Sequence, residues 1–414
     1  MKHICWVVFS VLATLARTTH AQTPSAGEAP ADDEPSIAPE PPADSEPVLP
    51  PEHVGGGKPT TLPGEPSSTD QELTLDRLVL SAANRIDLNF FGDVSLIQLN
   101  EQKAAFTIGA VGFQVTAHLA DHLVGRTEYV VKYAEGETVI DLERLYLEYR
   151  TARWALIAGR THSELGYWNT AFHHGTWLQL TMNRPHVLDF EEGGGILETH
   201  SVGLTAMYGP KRGDSGVDLM LAVGNGHGRT IDVVQTGSDN NWAKSVLLRL
   251  GLVGIGHPAL RFGINVGVDE IAAESAAVRP LLPDKSILEL VTGFYLALRS
   301  EGLVVYSETY NILHHGGGQT WQLTDGFLLA GYRFGAVTPF GEIEARRGDG
   351  FSDPYYRPDP AVGSHSIPPA NFVEGTLGVR YELNAWSALK VEVAAASFSD
   401  RTDYRAEINW SFGR

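Results

Sequence analysis

Apolar and polar side chains alternate with a period of two from Arg85 to the C-terminus. At the start, Ile86, Leu88, Phe90, Val94 and Leu96 share one face, opposite Arg85, Asp87, Asn89, Asp93 and Ser95. In mid-chain, Leu260, Phe262, Ile264, Val266 and Val268 oppose Arg261, Asn265 and Asp269, and later Leu389, Val391, Val393 and Ala395 oppose Lys390 and Glu392. The final segment sets Tyr404, Ala406, Ile408, Trp410 and Phe412 against Arg405, Glu407, Asn409 and Ser411. A strand alternates its side chains between two faces, so each segment offers one face suited to lipid and one suited to water. The segments run to about ten residues, the length that a tilted membrane-crossing strand needs. A soluble sandwich also alternates, but with shorter strands and a polar outer face.

Sixteen such segments are predicted, near 85–98, 103–118, 122–133, 142–150, 154–161, 201–208, 217–223, 244–253, 259–268, 288–298, 303–312, 325–334, 337–347, 371–382, 388–397 and 404–412. Fourteen is the alternative count if neighbouring segments merge. Link lengths give an independent check, because membrane barrels alternate short turns with long loops. Short links fall at Ala120-Asp121, Thr151–Arg153, Pro210–Gly216, Gly254–Pro258, Ser300–Gly302, Gly335-Ala336 and Leu383–Ser387. The long links 162–200, 224–243, 269–287, 313–324 and 348–370 all fall at the other parity. The expected fold is therefore all-β, a sixteen-stranded antiparallel transmembrane β-barrel. Both termini would lie on the periplasmic side and the long links would be external.

The chain ahead of the barrel divides in two. Residues 1–21 join a short basic start, the apolar run Ile4–Ala16 and the small-residue end Thr19-His-Ala21, which reads as a secretory signal peptide. Residues 22–75 hold eleven acids against Lys58 alone, a net of −10, with many prolines and almost no aromatics. Such a segment buries too little apolar surface to offset its ordering entropy and reads as a disordered periplasmic tether, with cell-wall contact as its functional alternative. The barrel would then occupy residues 76–414. The single cysteine, Cys5, lies in the signal segment, so the mature chain has no disulfide, thiolate metal site or cysteine nucleophile. A net charge of −19 argues against nucleic acid as a partner.

The link 162–200 is the least loop-like in composition. Tyr167, Trp168, Phe172 and Trp177 lie too close together for an exposed loop, and the available wall for packing them is the barrel interior. The third external loop is therefore expected to fold inward and narrow the lumen. Arg144-Leu-Tyr-Leu-Glu-Tyr-Arg150, Ala158-Gly-Arg160, Gly166-Tyr-Trp-Asn169 and His173-His-Gly-Thr176 together resemble proteins related to the phosphate-selective porin O and P family. The likeness is clearest over 140–210 and general, by strand pattern, over the rest of 80–414. It implies an outer-membrane barrel, often trimeric, that passes small hydrophilic solutes or ions, in the best-known members anions such as phosphate. The chain departs from the anion-selective pattern. It lacks a dense arginine ladder and lysine cluster, and its loop carries Asp189, Glu191 and Glu192.

Strand parity directs Arg126, Lys132, Arg144, Arg150, Arg249, Arg261, Arg333, Arg346, Arg380, Lys390 and Arg405 inward, against a similar number of acids. Opposed charges across a pore wall create a transverse field that favours polar permeants. The expected pore-lining and constriction residues are Arg126, Lys132, Arg144, Arg150, His173, His174, Arg184, Asp189, Glu191, Glu192 and Arg346. Arg126 with Glu128, and Arg144 and Arg150 with Glu148, also read as ion pairs that hold the wall. No cofactor or metal is expected. In an extended segment the His173 and His174 rings diverge, and Gly224-Asn-Gly-His-Gly228 lacks the strand–turn–helix setting of a dinucleotide site. His314-His315-Gly-Gly-Gly318 reads as a polar tip. Asp349 and Asp353 read as a turn, since the terminal acid of a calcium loop is missing.

No catalytic function is expected. His162, Ser163 and Glu164 are suitable types, but neighbours in sequence do not converge as nucleophile, base and orienter. The alternative function is a non-transporting adhesin or receptor acting through the long Gly-rich loops, notably 348–370. Expected partners are outer-membrane lipid and lipopolysaccharide, small solutes, and two further copies of the chain in a homotrimer.

Overall fold

A computed structural model describes residues 85–134, 137–172, 176–189, 196–211, 213–228, 238–356 and 370–413. The signal-peptide and tether readings, and His173, His174, Glu191 and Glu192, lie outside the described residues.

The described residues form sixteen strands: β1 (Ile86–Leu99), β2 (Ala105–Ala120), β3 (Leu123–Ala134), β4 (Glu137–Arg150), β5 (Trp154–His162), β6 (His200–Tyr208), β7 (Gly216–Gly224), β8 (Ser245–Val253), β9 (Leu260–Ile271), β10 (Ile287–Ser300), β11 (Leu303–Gly316), β12 (Gln319–Tyr332), β13 (Val337–Gly348), β14 (Phe372–Asn384), β15 (Ser387–Phe398) and β16 (Thr402–Gly413). Every strand pairs antiparallel with its sequence neighbours, and β16 pairs with β1 in the register Phe91↔Gly413 to Leu99↔Arg405. The ring is closed, so no strand edge is left with unpaired backbone groups. Among the described residues no helix is long and apolar enough to cross a membrane.

Exposure is inverted relative to a water-soluble fold. Leu88, Leu204 and Leu377 are 72%, 65% and 67% exposed on the outside, while Glu128, Lys390 and Glu392 on the inside are at most 2% exposed. At the short-turn end aromatics gather on the outer surface, with Trp154 against Tyr208 at 4.8 Å and Tyr332 against Phe334 at 4.7 Å. This matches the interfacial girdle of a membrane barrel.

The sixteen predicted segments correspond to the sixteen strands, and the count of fourteen is set aside. Two expectations are corrected. The link 313–324 is a tight hairpin: β11 and β12 extend to Gly316 and Gln319, and Gly317 and Gly318 turn the chain with φ of 59° and 80°. Two consecutive positive-φ residues suit glycine and match the twist of the flanking strands. Arg333 lies in the turn after β12, where its Nε donates to the Gly335 carbonyl at 2.9 Å, so it is not on the inner wall. The inner face of β12 is also largely apolar, carrying Trp321, Leu323, Phe327 and Leu329, all buried. That face is covered by the third long-end loop, residues 163–199 (L3). The described part of L3 contains a short helix, α1 (Trp168–Phe172), and a 3-10 turn, His186–Leu188.

Candidate functional site: the infolded loop and its wall

The first half of L3 is apolar and packs on the inner faces of β11 and β12. Trp168, 1% exposed, sits edge-on to Tyr306 at 5.7 Å and Phe327 at 5.3 Å, and Phe172 meets Tyr306 at 5.1 Å. Tyr167 stacks on the same Tyr306 ring at 5.9 Å. Edge-on and offset ring contacts of this kind contribute beyond the area they bury.

A loop inside a barrel also carries backbone groups that water no longer serves, and these need partners. Glu308 of β11 accepts from the backbone N–H of Tyr167 and of Trp168 through one oxygen, both at 2.7 Å, and from the Tyr310 hydroxyl through the other at 2.7 Å. Arg249 of β8 donates to the carbonyls of Glu164 and Gly166, both at 3.3 Å, and to the Glu164 carboxylate at 3.1 Å. Gly166 has φ +73°, and a Cβ there would overlap the Tyr310 hydroxyl and the Glu308 carboxylate. Only glycine permits this approach of L3 to the wall.

The second described half of L3, 176–189, lies along β13–β16 and is held by charge. Arg380 of β14 donates to the carbonyls of Trp177 at 2.6 Å and Gln179 at 2.9 Å, with its guanidinium 4.9 Å from the Trp177 ring centre. Lys390 of β15 donates to the carbonyls of Thr176, of Gln179 at 2.7 Å and of Thr181 at 2.8 Å. Acids receive the N–H groups of the same segment: Glu392 from Met182 at 2.9 Å, Glu407 from the Asn183 side chain at 3.2 Å, and Glu344 from His186 at 2.7 Å. Wall cations thus hold the carbonyls of L3 and wall acids hold its N–H groups.

The expected site residues take several places. Arg144 pairs with Glu128, its Nε donating at 2.6 Å, and Arg150 pairs with Glu148. Arg126 lies 5.7 Å from the centre of the Tyr146 ring. Lys132 is 3.9 Å from Asp141 and 3.8 Å from Glu143. These four stand on β3 and β4, away from the β8–β16 wall that anchors L3. Arg346 belongs to that anchoring wall: its Nε donates to Asp325 at 2.5 Å and its Nη2 to the His186 carbonyl at 3.0 Å. Arg184 donates to the Leu188 carbonyl at 3.3 Å within the loop, and Asp189 faces His186 Nδ1 at 3.6 Å. Sequence reasoning gave Lys390, Arg380, Arg249 and Glu308 no special role beyond facing inward. Parity places a side chain on a face but does not name the loop carbonyl across from it.

His162 and Glu164 turn to different partners. His162 lies edge-on to His200 at 5.7 Å, and Glu164 pairs with Arg249.

A further correction concerns His314, expected at a polar tip. It sits on β11, is fully buried, and bonds to Glu289 of β10 through Nε2 at 2.9 Å and to Asp353 through Nδ1 at 2.7 Å. The other Glu289 oxygen lies 3.2 Å from Nε2 of His227, in the loop after β7, and the His227 N–H donates to Asp269 at 2.8 Å. Asp353 turns inward with Tyr355 and Tyr356, both 1% exposed, and Tyr355 meets both histidine rings at 5.5 Å. The loops after β7 and β13 are thereby tied to β10 and β11.

Burial opposes a charge on His227, but Glu289, with help from Glu198 and Asp269, outweighs it and pushes its pKa up from 6.5 to about 10. Because the folded value is the higher one, this attachment is complete below pH 6.5 and is lost as the pH rises through about 10. Limited proteolysis of the folded protein is expected to find the loop after β7 protected at neutral pH and cut in alkali. A His227→Gln variant should lose that pH step. A wild-type cleavage pattern independent of pH would refute the assignment.

No family model and no curated protein matches the chain. Solved structures do. The chain is similar to OmpF of Salmonella typhi in complex with daunomycin, with TM-score 0.55 and 12% identity over 80% of this chain and 97% of that one. It is similar to the outer membrane channel DcaP of Acinetobacter baumannii, with TM-score 0.53 and 14% identity over 80% and 97%. It is also similar to OprB of Pseudomonas putida, with TM-score 0.53 and 9% identity over 82% and 96%. The fold is that of outer-membrane porins. At these identities the likeness is one of architecture, and it does not extend to the phosphate-selective family in particular.

Proposed function

We propose that the chain is an outer-membrane porin that lets small hydrophilic solutes and ions diffuse passively, with permeation limited by L3. The observation that carries this reading is a closed sixteen-stranded barrel with an apolar outside, whose inner wall binds an infolded loop through charged side chains. Beyond the L3 anchors, Arg126, Lys132, Arg144 and Arg150 stand among Glu128, Asp141, Glu143 and Glu148 on β3 and β4. A wall with both signs present orients water and polar solutes. It favours neither sign strongly, and the resemblance of 140–210 to phosphate-selective porins is what points toward anions.

The purified full-length protein should form ohmic channels in a planar bilayer. Under a potassium chloride gradient, a reversal potential shifted to the chloride side and sensitive to phosphate would support anion preference. A shift to the potassium side would support control by Asp189, Glu191 and Glu192. Folded protein that leaves the bilayer silent would overturn the porin reading.

Assembly as a homotrimer is part of the proposal, supported by the family resemblance and by the similar OmpT of Vibrio cholerae in its trimer form (TM-score 0.53, 9% identity). So are residence in the outer membrane with lipopolysaccharide, a signal peptide over 1–21, and a periplasmic tether with cell-wall contact over 22–75. Catalysis has no support in the divergent partners of His162 and Glu164. The adhesin alternative loses ground, because Asp353, Tyr355 and Tyr356 of the loop after β13 are packed inward rather than offered to a partner.

A further inference from the structure

We propose that the junction between L3 and the β13–β14 wall is a binding site for a divalent first-row transition ion such as Zn2+, held by His186, Glu344 and Glu374. Each residue offers one donor atom, and the three atoms lie within 4.8 Å of one another. Glu344 and Glu374 face each other in register across β13 and β14, and His186 opens the 3-10 turn of L3 above them.

Three features favour a cation over a plain loop contact. The His186 ring is oriented at both nitrogens: Nε2 lies 3.1 Å from Glu374, and Nδ1 faces the Asp189 carboxylate at 3.6 Å. A carboxylate behind the second nitrogen is the usual outer partner of a metal-binding histidine, fixing its tautomer and raising its basicity. The wall is also rich in negative charge at this point. Glu342 and Glu344 share the inner face of β13, next to Glu374 on β14, Asp325 on β12 and Asp189 on L3. The neighbouring cations already have partners: Arg346 donates to Asp325 and the His186 carbonyl, and Arg405 to Glu374 and Glu392.

The third feature is a buried polar atom without a match. Glu342 is 8% exposed, and its Oε2 has no hydrogen-bond partner among the described residues; the same holds for Oδ1 of Asp325, 1% exposed. Buried carboxylate oxygens are costly to leave unsatisfied, and a dication beside Glu344 would relieve the crowding of acids. The donor set decides the class of ion. Calcium and magnesium take all-oxygen shells, whereas an imidazole nitrogen with carboxylate oxygens suits zinc and its first-row neighbours. Such an ion would join the loop to the wall at one point and fix the path of L3 there.

The inference rests on the side-chain geometry and not on conduction, so its test reads binding directly. Untagged full-length protein in detergent, stripped with a chelator, is titrated with ZnCl2 by calorimetry. One Zn2+ per chain is expected, with a micromolar or tighter constant, unaffected by millimolar Ca2+. His186→Ala should abolish the site and Glu374→Gln weaken it at least about tenfold. Asp189→Asn, which removes only the outer partner, should weaken it by about 10- to 100-fold. The double variant His173→Ala/His174→Ala should bind as the wild type does. Heat-dependent gel mobility and β-type circular dichroism establish that each variant is folded. No bound Zn2+, binding that survives His186→Ala, or binding lost with His173 and His174 would overturn the proposal. A protein that binds Zn2+ but does not conduct would leave the site standing and remove only the porin reading.

Discussion

Replacing Lys390 by Met is expected to release the middle of L3 from the wall and enlarge the solutes that pass. Lys390 is fully buried, and its ammonium serves three carbonyls of L3, those of Thr176, Gln179 and Thr181. Hydrogen bonds from a charged donor contribute about 1.5–3 kcal/mol each, and water entering the gap recovers part of the loss. A net cost of about 3 kcal/mol to loop attachment is therefore the expectation. The barrel itself should survive, because its closure depends on the β15–β14 and β15–β16 ladders, which the substitution leaves intact. Liposome-swelling rates for a series of sugars give the measurement, with proteolysis between 176 and 189 as a second readout. The size limit should rise in Lys390→Met and change less in Lys390→Arg, which keeps the charge. An unchanged limit and an uncut loop would show that Arg380 holds the segment alone.

Trp168→Ala should cause the largest loss of stability of any single change in L3. The indole is 1% exposed and touches Phe172, Tyr306 and Phe327, with ring centres at 4.8, 5.7 and 5.3 Å. Removing a buried aromatic of this size costs about 3–5 kcal/mol through lost transfer energy and the cavity left behind. Denaturant unfolding from detergent or lipid vesicles should show the midpoint fall by the corresponding amount. Trp168→Phe, which keeps a ring in the pocket, should recover much of it. Equal loss in both variants would locate the effect in the backbone bonds to Glu308 and not in ring packing. The two variants act on different halves of L3: one half is held by an apolar core, the other by ionic contacts to carbonyls.

The infolding of L3 was legible because Tyr167, Trp168, Phe172 and Trp177 carry more apolar area than an exposed loop tolerates, and the lumen was the only wall at hand. The receiving surface was not. Alternation marks β12 weakly, since Trp321, Leu323, Phe327 and Leu329 face inward while Leu328 and Tyr332 face outward. With both faces apolar, the period of two carries little contrast, and the hairpin at Gly317-Gly318 reads as part of a long loop. His314, next to that turn, reads as a tip residue because nothing nearby in the chain reveals its partners. Its partners Glu289 and Asp353 lie 25 and 39 residues away, and no local pattern joins them.

The sequence by itself determined the barrel: sixteen alternating segments, the longest links confined to one parity, and a charged face opposite an apolar one. These are properties of period and spacing, which survive without knowledge of any contact. Only the tertiary structure decided what the inward charges do. Lys390 and Arg380 meet L3 carbonyls more than two hundred residues away in the chain. Whether an inward arginine lines water, pairs with a wall acid as Arg144 does with Glu128, or holds a loop depends on what folding brings opposite it. A side chain's face follows from local backbone geometry, whereas its partner follows from the closure of the ring and the path of L3 through it.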